Sequence, residues 1–301
     1  MSAAGPSQGA KTPSGGSAAH AVASVGAIKL RWPAEAIWEA MCPLWPDFSV
    51  EVLAQLDSTN SELMRRARAG QFAPVLLVAE HQSAGRGRHG RLWHSAAHGD
   101  SGASLTFSVG LPLAPGDWAG LSLAVGVSVA KSLHEAIRLK WPNDLWTSDG
   151  VVDRKLGGIL IETASFAPEQ EGRRYAVIGV GLNITAATQA LPTPPVALEA
   201  LMPGITAPDA LLRIAVPLMQ ALRGFEASGF APFLADFDAR DVLRGRAVTA
   251  IGAGGAIVQG RACGVASNGA LLVHTASGMS EISSSEVSVR PDGRGTASPC
   301  A

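Results

Sequence analysis

Gly85-Arg86-Gly87-Arg88-His89-Gly90-Arg91, followed by Trp93, is the stretch that decides how this chain is read. Three glycines stand among three arginines. Glycine admits positive φ and lets a ligand come close to the main chain. Arginine keeps its charge and offers a planar fork of donors suited to phosphate and carboxylate. The combination describes a loop that holds an anion. Its spacing also satisfies G-x-G-x-x-G, the dinucleotide fingerprint, which requires a strand before it and a helix opening within it. Pro74 to Ala79 supplies an apolar strand, but Leu92 to Gly102 has no 3.6-residue periodicity. Without the helix the dinucleotide reading is set aside.

Working outward, 301 residues are enough for about two domains. The formal net charge of −1 gives no global sign of a nucleic-acid binder. Cys42, Cys263 and Cys300 show neither zinc spacing nor a disulfide framework, which fits a reducing cytoplasm. No charged n-region precedes an apolar h-region at the N-terminus, so no secretory signal is read there. The apolar run Leu121 to Ala130 is too short to span a bilayer.

Residues 1–25 are mostly Ser, Ala, Gly and Pro with little to bury, and are expected to be a disordered tail. The patterns predict a short helix within Trp32–Trp45 and a second from about Ser61 to Ala69, with Thr59 to Glu62 matching a capping box. Strands are expected at 75–80, 104–109, 156–162 and 175–180, and helices at 117–137, 209–227 and 230–239. Gly120 and Gly126 are read as points of close packing in the helix at 117–137. From about residue 243 short β-prone runs alternate with glycines, and Asn268-Gly269 between two of them is a hairpin signal. The expected division is a domain over 26–242, a small barrel over 243–291 and a disordered tail over 292–301.

Four further segments stand with the loop: Ser58-Thr59-Asn60, Gln82, Lys140-Trp141-Pro142-Asn143-Asp144, and Lys155 to Glu162 answered by Gly179-Val180-Gly181-Leu182-Asn183. Each has a plain structural reading. Ser58-Thr59-Asn60 can cap a helix, Pro142-Asn143-Asp144 is ordinary turn chemistry, Lys155 can be a solvated surface lysine, the glycines can mark a bulge or tight strand packing, and Trp93 can be core. In their order and spacing, however, these elements resemble the biotin protein ligase family. Ser285 to Arg290 resembles the end of that family's C-terminal domain, so the likeness runs over roughly residues 50–290.

The resemblance implies an α+β fold: a mixed-sheet catalytic domain flanked by helices, like that of class II aminoacyl-tRNA synthetases, with a small SH3-like C-terminal barrel. It implies a short form of the ligase that joins biotin to ATP as biotinyl-5′-AMP, with Mg²⁺ accompanying the nucleotide. The biotinyl group would then pass to a lysine of the biotin carboxyl carrier protein of acetyl-CoA carboxylase. By the same resemblance Ser58, Thr59, Asn60 and Gln82 hold the biotin head group, and Arg86, Gly87 and Arg88 line biotin and the adenylate. Lys140 contacts carboxylate and α-phosphate, with Arg88 and Lys140 as the catalytic pair. Arg88, Arg91, Trp93, Asn143, Lys155 and Asn183 face the nucleotide. Hydroxyl and amide side chains suit a cyclic urea, which both donates and accepts, and fixed cations offset the repulsion between carboxylate and triphosphate.

His89 departs from the family, where arginine is common. Some relatives carry an N-terminal helix-turn-helix and act as repressors; with residues 1–25 read as a disordered tail, the remainder before Ser58 is expected to be too short for a winged helix-turn-helix and shows no basic recognition helix. Lipoate and octanoate transferases share the catalytic fold but are expected to lack the full Gly/Arg heptad. A silent binding module would not need Arg88, Lys140 and Asn183. No membrane or nucleic-acid partner is expected. A homodimer is common in the family and sheet edges could support one.

Overall fold

The computed structural model describes residues 1, 30–93, 102–148, 152–165, 172–186, 196–252, 255–283 and 288–291. The expected tails at 2–25 and 292–301 lie outside the described residues. A seven-stranded sheet is built from β1 (Ser49–Leu56), β2 (Val75–Gln82), β3 (Ser104–Leu113), β4 (Ile137–Lys140), β5 (Asp144–Ser148), β6 (Asp153–Ser165) and β7 (Arg174–Asn183). Its order is β1-β2-β3-β7-β6-β5-β4. Only the β1–β2 pair is parallel, joined through helix α2 (Thr59–Arg68), so the sheet is mixed.

Side chains alternate across the sheet. Val75, Leu77, Tyr175 and Val177 pack under α2 with Leu63, Met64 and Ala67. Leu76, Val78, Ile178 and Val180 face the larger core, shared with α1 (Ala34–Met41), α3 (Leu121–Leu133) and α4 (Ala207–Ser228). That core continues through α5 (Leu234–Asp238) into the C-terminal strands β8 (Ala247–Ile251), β9 (Ile257–Val265), β10 (Leu271–Thr275), β11 (Gly278–Ile282) and β12 (Ser288–Pro291). These form the expected small β domain, an antiparallel sheet in the order β11-β10-β9-β8-β12. Asn268-Gly269 makes the expected β9–β10 turn, with Gly269 at φ 82°. No helix among the described residues is long and apolar enough to cross a membrane.

Four expectations are corrected. The helix placed at 117–137 spans only Leu121–Leu133. Gly120 at φ 79° starts it, and Ile137 and Leu139 are buried alternately in an edge strand instead. The cap of α2 is Ser58, whose Oγ accepts from Ser61 N; Glu62 pairs with Arg65 and Arg66 rather than closing a capping box from Thr59. The segment at 230–239 is a 3₁₀ turn, Ala231–Phe233, followed by the five-residue α5. Cys263 is disulfide-bonded, where the number and spacing of the cysteines showed no disulfide framework. The packing role of Gly126 holds, since a Cβ there would lie 3.2 Å from Leu139 Cδ2.

The two sheets meet near Asp241. Asp241 Oδ1 accepts from Leu243 N at 2.8 Å, while Oδ2 is buried without a partner. Burial pushes this carboxyl up to about 6 from an ordinary 3.8; Asp238 adds to the shift, and the Leu243 N–H, Arg244 and Arg246 oppose it. The folded chain therefore holds the proton more tightly than the unfolded one, so stability falls as pH rises between about 4 and 6, and the full penalty applies above that window. Asp241→Asn removes the charge. Its thermal midpoint should exceed the wild-type value by roughly 2–5 °C at pH 7.5. In calorimetric scans below pH 4 that advantage should vanish.

Candidate active site

The site begins where β1 ends. Ser58, Thr59 and Asn60 enter α2 with at most 4% exposure each, beside Gln82 at the end of β2. Polar groups this deep must find partners. Thr59 N donates to Gln82 Oε1 at 2.7 Å, and Ser108 Oγ on β3 lies 2.7 Å from both Thr59 Oγ1 and Asn60 Oδ1. Asn60 Nδ2 donates to Glu162 Oε2 at 3.0 Å, and the other Glu162 oxygen is 3.4 Å from Arg86. A buried polar chain thus runs from Gln82 to the Gly/Arg loop. Gly179 is required beneath it, because any Cβ there would collide with Asn60 Oδ1.

The loop folds back on itself. Gly87 N donates to Arg91 O at 2.7 Å and Trp93 N to Gly85 O at 2.8 Å. A Cβ at Gly85 would fall 2.5 Å from Trp93 O, so close approach rather than dihedral freedom demands that glycine. His89 sits at φ 54° in the left-handed region, which histidine tolerates better than most residues. Arg88 Nη1 reaches toward Asn143 Oδ1 at 3.5 Å. Burial lowers the Arg88 pKa below its usual value; Asp144 offsets this in part and Arg91 adds to it. A bound anion would favour the charged guanidinium.

The Lys140–Asp144 segment is the hairpin between β4 and β5. Lys140 Nζ lies 4.0 Å from Asp144 and 5.0 Å from the centroid of Trp146. Lys155 Nζ bonds the other Asp144 oxygen at 2.7 Å and stands 6.0 Å from the centroid of Trp93. Trp93 packs over Gly181, where a Cβ would lie 2.6 Å from its ring, and its Nε1 is buried with no partner among the described residues.

One cavity gathers Ser58, Thr59, Asn60, Gln82, Arg86, Gly87, Arg88, Arg91, Trp93, Lys140, Asn143 and Lys155. Every residue to which the resemblance gave a binding or catalytic role is in that wall except Asn183, whose Nδ2 instead donates to Val196 O at 3.3 Å. Sequence reasoning passed over Ser108, and over Val289 of β12, which brings the C-terminal sheet to the cavity. Trp141 Nε1 ties that sheet down further, donating to Gly269 O at 3.0 Å. Ser108 left a faint trace: Thr106 and Ser108 alternate with Leu105, Phe107 and Val109, placing small hydroxyls on the α2 face.

Polar cradle, clustered cations and a two-sheet α+β frame define an enzyme that activates a carboxylate with a nucleotide. Residues 52–183 match the biotin/lipoate A/B protein ligase family, and residues 244–290 match the biotin protein ligase C-terminal domain. The chain is 37% identical to a biotin–[acetyl-CoA-carboxylase] ligase of Mycobacterium tuberculosis, over 74% of this chain and 82% of that one. It is 34% identical to the bifunctional ligase/repressor BirA of Escherichia coli, over 75% of this chain and 69% of that one. Among solved structures it resembles the Aquifex aeolicus biotin protein ligase in complex with biotin and ATP, with TM-score 0.63 and 25% identity, covering 81% of this chain and 99% of the other. The chain belongs to the biotin protein ligase family.

Proposed function

We propose that the cavity makes biotinyl-5′-AMP from biotin and Mg·ATP and passes the biotinyl group to one lysine of a biotin carboxyl carrier domain, such as that of acetyl-CoA carboxylase. The observation that carries this reading is the convergence, in one cavity, of a buried hydroxyl and amide cradle with Arg86, Arg88, Arg91, Lys140 and Lys155. The cradle takes the cyclic urea. The cations take the carboxylate and phosphates.

In the first step a biotin carboxylate oxygen attacks the α-phosphorus and the bond to pyrophosphate breaks. Two anions must meet, and Lys140 and Arg88 supply fixed positive charge where their repulsion peaks. Lys140 is held for this by Asp144 and the face of Trp146. In the second step the neutral acceptor amine attacks the acyl carbon, the acyl–phosphate bond breaks, and AMP leaves with the electron pair. The folded-back Gly/Arg loop keeps the mixed anhydride from water until the lysine arrives.

A lipoate ligase is the neighbouring reading. A dithiolane ring offers no N–H or carbonyl, so it would make none of the hydrogen bonds that the hydroxyl and amide groups of the cradle offer a ligand, and a site of this kind discriminates against it. Incubation with biotin, Mg·ATP and a biotin carboxyl carrier domain should give a carrier heavier by one biotinyl group at a single lysine, read by peptide mass spectrometry. An unmodified carrier, or one modified only with lipoate, would refute the proposal.

A further inference from the structure

Ser108 is wholly buried on β3, opposite Gly179 of β7, and is absent from the cavity wall itself. Its hydroxyl nonetheless stands between the two side chains that enter the head-group cradle, 2.7 Å from Thr59 Oγ1 and 2.7 Å from Asn60 Oδ1. A hydroxyl has one proton to give and two lone pairs to accept with. The neighbours decide where that proton goes. Asn60 Nδ2 faces Glu162 Oε2 at 3.0 Å and Leu160 O at 3.3 Å, both acceptors, so the amide oxygen must point to Ser108. An amide oxygen only accepts, and Ser108 therefore donates to it. Toward Thr59, Ser108 is left with a lone pair.

Gln82 is oriented by the same reasoning. Its Oε1 accepts Thr59 N–H at 2.7 Å and lies 3.2 Å from Thr59 Oγ1. Both protein neighbours of the Thr59 hydroxyl are thus acceptors, and its single proton is spent inward on one of them. We propose that Ser108 is a positioning residue that fixes the hydrogen-bond polarity of the cradle, so that Thr59 Oγ1 meets the ligand only as an acceptor of a ring N–H. Glu162 anchors the far end of the same chain of bonds and links it to Arg86 of the loop. This inference rests on the cavity taking biotin, whose cyclic urea carries two such N–H groups.

The test is steady-state pyrophosphate release by the full chain in the presence of a biotin carboxyl carrier domain as acceptor, with biotin and with biotin methylated at either ring nitrogen. Ser108→Ala strands Asn60 Oδ1 and leaves the Thr59 proton only the longer 3.2 Å contact to Gln82 Oε1, which already accepts Thr59 N–H, so that it can turn outward. The KM for biotin should rise roughly 10- to 50-fold while the KM for ATP stays within about twofold. Methylation of the nitrogen facing Thr59 should raise the wild-type KM by at least about tenfold but that of Ser108→Ala by only about two- to threefold, because both changes remove the same contact. Ser108→Cys keeps a donor at the position, a weaker and somewhat larger one, and should fall between the two; it carries the test if the alanine variant fails to fold. An unchanged biotin KM in both variants, or losses that simply multiply, would overturn the assignment. Absence of biotin-dependent release by the wild-type chain would instead overturn the reading of the cavity, and the inference with it.

Discussion

Lys140→Met should lower biotin-dependent pyrophosphate release by about 10³-fold with little change in the biotin KM. Lys140 is 13% exposed, stands 4.0 Å from Asp144, and lies over Trp146 at the head of the β4–β5 hairpin. The cation is needed when carboxylate and α-phosphate close on one another, more than when either binds alone, so the loss belongs mainly in kcat. Lys140→Arg restores charge but not the compact ammonium, and its planar fork does not fit the same site. It should recover only part of the rate. Stopped-flow detection of pyrophosphate checks both variants, and equal release by Lys140→Met and wild type would remove Lys140 from the chemistry.

Arg88→Gly should uncouple making the adenylate from keeping it. Arg88 joins the loop to Asn143 across the cavity, and its charge is held against the cost of burial in part by Asp144. A glycine there removes that tie and leaves the loop to its backbone bonds at Gly87 and Trp93 and the Arg86–Glu162 pair. Biotinyl-5′-AMP should dissociate at least about tenfold faster, since most affinity changes appear in the off-rate. Released mixed anhydride acylates exposed lysines without selection. Bystander proteins mixed with the variant, biotin and Mg·ATP should become biotinylated, whereas the wild type should label only the carrier. Labelling confined to the carrier in both cases would show that the loop does not retain the intermediate.

The parts of the site that are local in the chain are legible from the amino-acid sequence alone. The Gly/Arg loop, Ser58 to Asn60 and the Lys140–Asp144 turn each declare themselves within a few residues, and all meet in the cavity. The contacts that assemble them are remote. Ser108 lies 48 residues from Asn60, and Glu162 lies 102 residues from it. No periodicity or motif spans such distances. The fold is legible in the same uneven way. β3, with its alternating Ser104 to Val109, and β7, with its apolar run Tyr175 to Val180, show in the sequence, while β1 and the short β4 and β5 do not. In β4 only four residues alternate, Ile137 and Leu139 inward, and they read as a continuation of the apolar helix before them. Asn183 follows Gly181 in a site-like motif yet turns to Val196 O, a contact set by the path of the chain after β7.

Biotin-dependent pyrophosphate release from Mg·ATP, without any acceptor protein, tests the central claim most directly. The wild-type chain should release about one pyrophosphate per active site in a burst, then stall, with biotinyl-5′-AMP recovered from the protein after denaturation. Release that does not depend on biotin, or none at all, would contradict the account.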